Sequence, residues 1–566
     1  VAAVTNTVPQ LAEELLELVF SADPLYATII GVPGHGRELA DRSAAAQEDL
    51  RGRVQDIAAR MTAVDPAGLS ADDVVTRAMV IHHTAQMVDE IDCRQVEFTI
   101  SDLFVAPAAE LIMTLPMVPL ATPEARDDYL ARLRAVPAYL ETVLDRHRDG
   151  VAAGRVPVER LVRNAIAHLD RYLDAPDTDP LARQEVPAEF AAAREEVLAA
   201  EVRPAFAAYK QALAEEFLPH GRPDDKVGVC WLPGGDELYR TLARIHTTTD
   251  RTPDDLHQTG LDIIERLTEE YAEIGSRVFG TSDRDEIFSR MTSDPATRWR
   301  DADELLASAR EAVARAEAAA PDWFGRLASQ QCKIEPVPQA DAPGAPAAYY
   351  LWPSMDGQRP GIYFANTYKA EERDRFVSEV TAFHEAVPGH HFQIQLAQEL
   401  THLPMFRRVV NPNAYAEGWG LYTERLADEM GLYSSDMYRL GMLAMDSMRA
   451  GRLVVDTGMH AKGWTRQQAV DFLREHTPMS HLEIDAEIDR YIGYPGQALS
   501  YMVGRLEINR LRAFAEEALG DRFDIREFHD VVLGNGSLPL AVLADVVTRW
   551  VTRGSGGSLP GNLTQR

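Results

Sequence analysis

The sequence predicts a mainly α-helical fold with a deep cleft and a small edge β-sheet, on three observations. Apolar residues recur with a helical period, helix-start signals repeat along the chain, and one short aromatic tract breaks both patterns. In chain order, Thr122-Pro123-Glu124 reads as a helix start with a capping hydroxyl, a first-turn proline and an acidic first turn; Tyr129, Leu130, Leu133 and Val136 then share one face. Thr252-Pro253-Asp254-Asp255 repeats the device ahead of Leu261, Ile264, Leu267 and Tyr271. Between about 333 and 366 the pattern changes. The runs A-A-Y-Y-L-W (347–352) and G-I-Y-F-A-N (361–366), separated by Pro353 and Asp356-Gly357, read as strand, turn, strand. Thr465 with Gln468 makes a capping box for a later helix.

With 566 residues and 46% hydrophobic content, the chain can bury a large core, and no Pro/Gly/Ser-rich linker divides it. One helical unit is expected over 1–553, with 1–330 as scaffold and cleft wall and 331–553 as the half that carries the chemistry. A flexible tail is expected over 554–566, where Asn562-Leu563-Thr564 forms a sequon. A net charge of −31 repels phosphate backbones and anionic lipid, so neither nucleic acid nor a membrane is an expected partner. Cys93, Cys230 and Cys332 are scattered without a C-x-x-C, which favours a reducing cytoplasm. The chain has neither a membrane-length apolar run nor a signal-peptide pattern, although its start at Val1 leaves room for a removed leader.

The chemistry concentrates in F-H-E-A-V-P-G-H-H (383–391), a stretched form of the H-E-x-x-H helix, in which two histidines one turn apart bind zinc and the glutamate is the general base. Here His384 and His390 are six residues apart, so an unbroken helix would separate their Cα atoms by about 9 Å. Pro388 and Gly389 lie in the gap, and a local bulge in the metal helix is expected to absorb the two extra residues. His390 is the preferred second ligand, with His391 as the alternative. A third ligand is expected from Glu417 in A-E-G-W-G-L-Y-T-E, on a helix after the turn Asn411-Pro412-Asn413; Glu424, two turns on, is placed to bond a ligand histidine. The plainer readings are surface histidines at a kink and a solvated helix carboxylate.

These motifs, with R-L-V-V-D-T-G-M-H (452–460), R-Y-I-G-Y-P-G-Q-A-L-S-Y (490–501) and P-G-I-Y-F-A-N-T-Y (360–368), resemble domain-of-unknown-function family 885, grouped with the zincin-like metallopeptidases. More distantly the arrangement is similar to angiotensin-converting enzyme, thimet oligopeptidase and dipeptidyl peptidase III, whose Gly-His favours His390 over His391. The resemblance implies a large helical zincin-like fold with a deep cleft, and a tyrosine-rich loop over the substrate. In that loop Tyr501 and Tyr494, and less so Tyr491, are candidates to donate to an oxyanion or contact substrate. Asp456 and His460 are one turn apart, making His460 a second candidate oxyanion donor oriented by the carboxylate, against a purely structural pairing. Arg452, Arg505 and the non-ligand His391 are candidate substrate contacts.

The expected function is zinc-dependent hydrolysis. His384, His390 and Glu417 would hold zinc, and Glu385 would take a proton from the attacking water. The substrate would be a short peptide or small amide laid along an edge strand just before the metal helix. The alternatives are hydrolysis of a non-peptide amide or ester, and a helical binding protein without turnover.

Overall fold

The helix starts marked by the sequence form with their caps. Thr122 accepts from the Ala125 N–H at 3.1 Å and opens Pro123–Ala152. Thr252 accepts from the Asp255 N–H at 3.2 Å and opens α1 (Pro253–Val278). Thr465 and Gln468 cap Arg466–His476 reciprocally, at 2.8 and 3.1 Å. The computed structural model describes residues 7–554 apart from 340, 341, 343 and 344; of the tail expected over 554–566 it describes only Gly554, which ends the helix Leu540–Gly554, and the sequon lies outside the described residues. Helices make up 70% of the chain and strands 3%, which fixes the class as mainly α.

The sheet has three strands, β1 (Lys333–Pro336), β2 (Ala348–Leu351) and β3 (Ile362–Ala365), in the order β1-β3-β2. β2 and β3 form the expected hairpin, antiparallel with Ala348 opposite Ala365, while β1 pairs parallel with β3. One expectation is corrected. The strand just before the metal segment is β3, and it is central; its backbone groups are taken on both sides, so the edges belong to β1 and β2. β2 is the edge that packs against the following helix, α2 (Ser378–Glu385).

After α2 come α3 (His390–Glu399), α4 (Asn413–Glu429), α5 (Asp436–His460), α6 (His481–Gly493) and α7 (Ser500–Leu519). One apolar core runs from Val8 to Val551 and takes in Phe383, Val387, Trp419 and Tyr422; a second joins α1 to α5 and takes in Val380, Leu421 and Met502. α2 and α4 sit between the two cores, anchored from both sides. The crossing of α4 and α7 is close because both helices carry glycine there: a Cβ on Gly504 would lie 1.8 Å from the Ala414 carbonyl oxygen. That approach brings Tyr501, on the turn before Gly504, toward Glu417.

Candidate metal centre

His384 is the penultimate residue of α2, and the buried Ala382 and Phe383 hold that end of the helix in the core. The expected single bulged helix is corrected. α2 stops at Glu385, Ala386 has φ −107° and ψ −101°, the Val387–Pro388 peptide is cis, and α3 begins at His390. Pro388 has no N–H to extend the helical ladder. The chain thus turns instead of compressing along one axis, and the His384 and His390 rings meet at 4.6 Å between centroids, 86° apart.

Glu417 completes the group; His384, His390 and Glu417 each offer a donor atom, all within 4.8 Å of one another. Two zinc–ligand bonds of about 2.0–2.1 Å at the tetrahedral angle would hold their donors about 3.3–3.4 Å apart. Glu417 Oε2 stands 3.5 Å from His384 Nε2 and 3.3 Å from His390 Nε2. Two imidazoles and one carboxylate are a zinc donor set, and the residues therefore fit the metal that the sequence implies. The His384 side chain is 5% exposed, against 13% for His390 and 19% for Glu417, so the group faces solvent on one side.

Glu424, fully buried, accepts from His384 Nδ1–H at 2.8 Å, which turns Nε2 toward Glu417. Gly420 makes room for the ring, since a Cβ there would lie 2.7 Å from His384 Cε1. His390 Nδ1 is buried without a hydrogen-bond partner among the described residues. Burial opposes a charge on His384, but hydrogen bonds to Glu417 and Glu424 and the charges of Glu424 and Glu385 outweigh it and raise its pKa to about 9. Against the same burial, the two imidazoles hold Glu417 well below the ordinary carboxylate range. Three carboxylates around two imidazoles leave a negative excess that a proton or a metal cation neutralises.

Glu385 is half-buried and has no hydrogen bond or ion pair among the described residues, while its charge reaches His384 and Tyr363. The Tyr501 ring stacks on His384 at 6.4 Å and 22°, and its hydroxyl has no hydrogen-bond partner among the described residues. Burial and the nearby Glu417 raise the Tyr501 pKa, so the phenol keeps its proton as a donor. Tyr494 packs edge-on to His246 at 5.0 Å and to Phe104 at 5.8 Å.

Other expected roles are corrected. His391 is 1% exposed and bonds Tyr350 Oη through Nδ1 and the Gln330 carbonyl through Nε2, both at 2.9 Å; it ties α3 to the sheet and can be neither ligand nor substrate contact. His460 is fully buried, accepting from the Val229 N–H at 3.1 Å and donating to the Tyr491 carbonyl at 2.9 Å, so it has no donor left for an oxyanion. Asp456 does not orient His460. It accepts from Tyr239 Oη at 2.5 Å and the Gly496 N–H at 3.1 Å, and so anchors the tyrosine loop. Arg505 is pinned on buried Asp446. Arg452 keeps a free Nη1, its Nε bonding Tyr491 Oη at 2.7 Å and its Nη2 bonding Glu487 at 2.8 Å. Sequence reasoning passed over Arg449, one turn before Arg452 on α5, because nothing in M-R-A-G-R distinguishes it.

Burial pushes the Asp456 pKa up to about 7, so between its unfolded value and 7 the folded chain binds more protons than the unfolded one. That contribution to stability is complete at acid pH and is lost as pH rises through 7. Asp456→Asn should therefore stabilise the protein relative to wild type at pH 8 but not at pH 4, by a few kcal/mol at most. Denaturant unfolding at the two pH values checks this; an unchanged difference would show that Asp456 does not titrate there.

A family model described as "Bacterial protein of unknown function (DUF885)" matches residues 24–547. The chain belongs to this DUF885 family. Among curated proteins, none matches it. The fold is similar to the crystal structure of a "putative lipoprotein" from Colwellia psychrerythraea, with a TM-score of 0.90 and 27% identity over 96% of this chain and 99% of that one. It also resembles a "putative lipoprotein of unknown function" from Shewanella oneidensis, with a TM-score of 0.73 and 17% identity over 96% and 100%. The likeness to the Colwellia lipoprotein overturns the cytoplasmic home expected from the cysteines. Three unpaired thiols are as compatible with an exported chain as with a cytoplasmic one. Among the described residues, no helix is long and apolar enough to cross a membrane.

Proposed function

We propose that this DUF885 protein is a zinc-dependent hydrolase of zincin-like architecture, a metallopeptidase acting on short peptides. The observation that carries the reading is the spacing of Glu417 Oε2 from the two histidine Nε2 atoms, 3.5 and 3.3 Å, with an unpartnered carboxylate, Glu385, next to it in the chain. His384, His390 and Glu417 are the residues that would hold the metal, and Glu424 fixes the tautomer of His384. Zinc bound there supplies Lewis acidity, polarising a carbonyl and making water nucleophilic near neutral pH. Glu385 takes the proton that the attacking water loses and returns it to the leaving amine. Tyr501 donates its hydroxyl to the developing oxyanion. The edge of β2, beside α2, supports an extended substrate by strand addition. The Colwellia lipoprotein supports an exported site of action.

The test is hydrolysis of a mixed tripeptide-to-decapeptide library by zinc-loaded protein, followed by mass spectrometry. Cleavage that stops on chelation and returns with zinc is the expected result. No cleavage by protein carrying one zinc per chain would sink the peptidase reading.

A further inference from the structure

Burying a guanidinium without a matching anion is costly, and such groups normally end on a carboxylate. Arg449 does not. It is 6% exposed, its Nε has no partner, and its Nη1 reaches only the sulfurs of Met445 and Met448, at 3.6 and 3.8 Å, which are weak acceptors. Its nearest carboxylate oxygen, Glu424 Oε1 at 4.0 Å, already accepts from His384.

A second cation lies beside it. Arg452 presents an unpartnered Nη1, and it shares its one carboxylate, Glu487, with Arg490. Both α5 arginines border the Tyr501 ring, Arg452 at 4.5 Å and Arg449 at 5.4 Å from its centroid. Arg490 lies over the neighbouring Tyr491 ring at 5.0 Å, and Glu487 is the carboxylate that Arg452 and Arg490 share. This positive excess runs against a chain whose net charge is −31.

We infer that Arg449 and Arg452 form a subsite for the free α-carboxylate at the C-terminal end of a peptide, so that the metal centre releases short C-terminal fragments. The inference rests on the peptidase reading and names its substrate class. The guanidinium of Arg449, with its Nε unpartnered, and the single free Nη1 of Arg452 on the same helix face suit recognition of a carboxylate better than of a neutral amide. The ring contacts from His384 to Tyr501 and on to Arg452 span 6.4 and 4.5 Å, which allows a leaving fragment of at most about three extended residues at roughly 3.5 Å each.

Zinc-loaded Glu385→Gln protein, titrated by calorimetry, provides a readout independent of turnover. The ligands are three N-acetyl tripeptides: one with a free C-terminal carboxylate, the same peptide as its amide, and an amide whose last side chain is glutamate. The acid should bind at least 30-fold more tightly than either amide, and Arg449→Gln should bring it within threefold of them. Equal binding of acid and amide, or no binding of any up to millimolar concentration, would overturn the subsite. Binding of the glutamyl amide as tightly as the acid would assign the arginines to an acidic side chain and overturn the α-carboxylate assignment. If Arg449→Gln does not fold, the acid–amide comparison with Arg449 intact still decides, and a preference that survives Arg449→Gln and Arg452→Gln alike refutes the assignment. Selective binding of the acid without cleavage by Glu385-intact protein would remove the hydrolase reading, and with it the release of fragments, while supporting the carboxylate subsite itself.

Discussion

Glu385→Gln is expected to leave zinc content at the wild-type level and to lower kcat for peptide hydrolysis by about a thousandfold. General acid–base catalysis contributes roughly 10²–10⁴ in rate, and glutamine keeps the shape of the side chain while removing its ability to accept a proton. The fold should not notice the change. Glu385 is half-buried with no hydrogen bond or ion pair among the described residues, so no packing or salt bridge depends on its charge. The variant should unfold at the same denaturant midpoint as wild type, which separates loss of chemistry from loss of structure. Steady-state kinetics on the best peptide from the library, with zinc measured in the same sample, make the comparison. Activity within tenfold of wild type would show that another group takes the proton.

What was legible in the sequence was what a local pattern encodes. Caps and apolar periodicity place Pro123–Ala152 and Pro253–Val278 because helix starts are written in adjacent residues. His384, His390 and Glu417 could be picked out because a donor set has a characteristic composition, and Glu424 because two helical turns return it to the face of Glu417. The route between the histidines was not legible: a six-residue gap containing Pro-Gly can be closed by a bulge or by a turn, and the packing of Ala382, Phe383 and Val387 decides it. The order of the sheet escaped for a similar reason. β1 is four residues, Lys-Ile-Glu-Pro, too short for its alternation to mark it, and it pairs with distant β3.

Side chains failed where the partner comes from far along the chain. The one-turn spacing of Asp456 and His460 suggests that they meet, yet each is taken by groups from elsewhere, Asp456 by Tyr239 and Gly496, His460 by Val229 and Tyr491. The same holds for His391, whose adjacency to His390 says nothing about Tyr350 and Gln330 waiting on either side. Helical spacing tells which residues share a face, and only the tertiary packing tells what that face meets.

Glu417→Ala is expected to reduce bound zinc from about one per chain to near zero after dialysis, measured by elemental mass spectrometry. The carboxylate contacts both imidazoles, at 3.5 and 3.3 Å, so its removal leaves a two-histidine remnant. A loss of about a thousandfold in affinity corresponds to roughly 4 kcal/mol. The same loss should appear in stability, because a ligand that binds only the folded state stabilises it by about 4 kcal/mol at a thousand times its Kd. Added zinc should therefore raise the unfolding midpoint of wild type and leave that of the variant unmoved. Without zinc the variant should be less stable than wild type, since removing Glu417 also removes the carboxylate that the two imidazoles hold ionised, so the zinc-induced shift and not the metal-free midpoint is the readout. Full zinc retention in Glu417→Ala would mean that Glu385 or Glu424 serves as the third ligand, and the assignment of Glu385 as base would fall with it if Glu385 were the one.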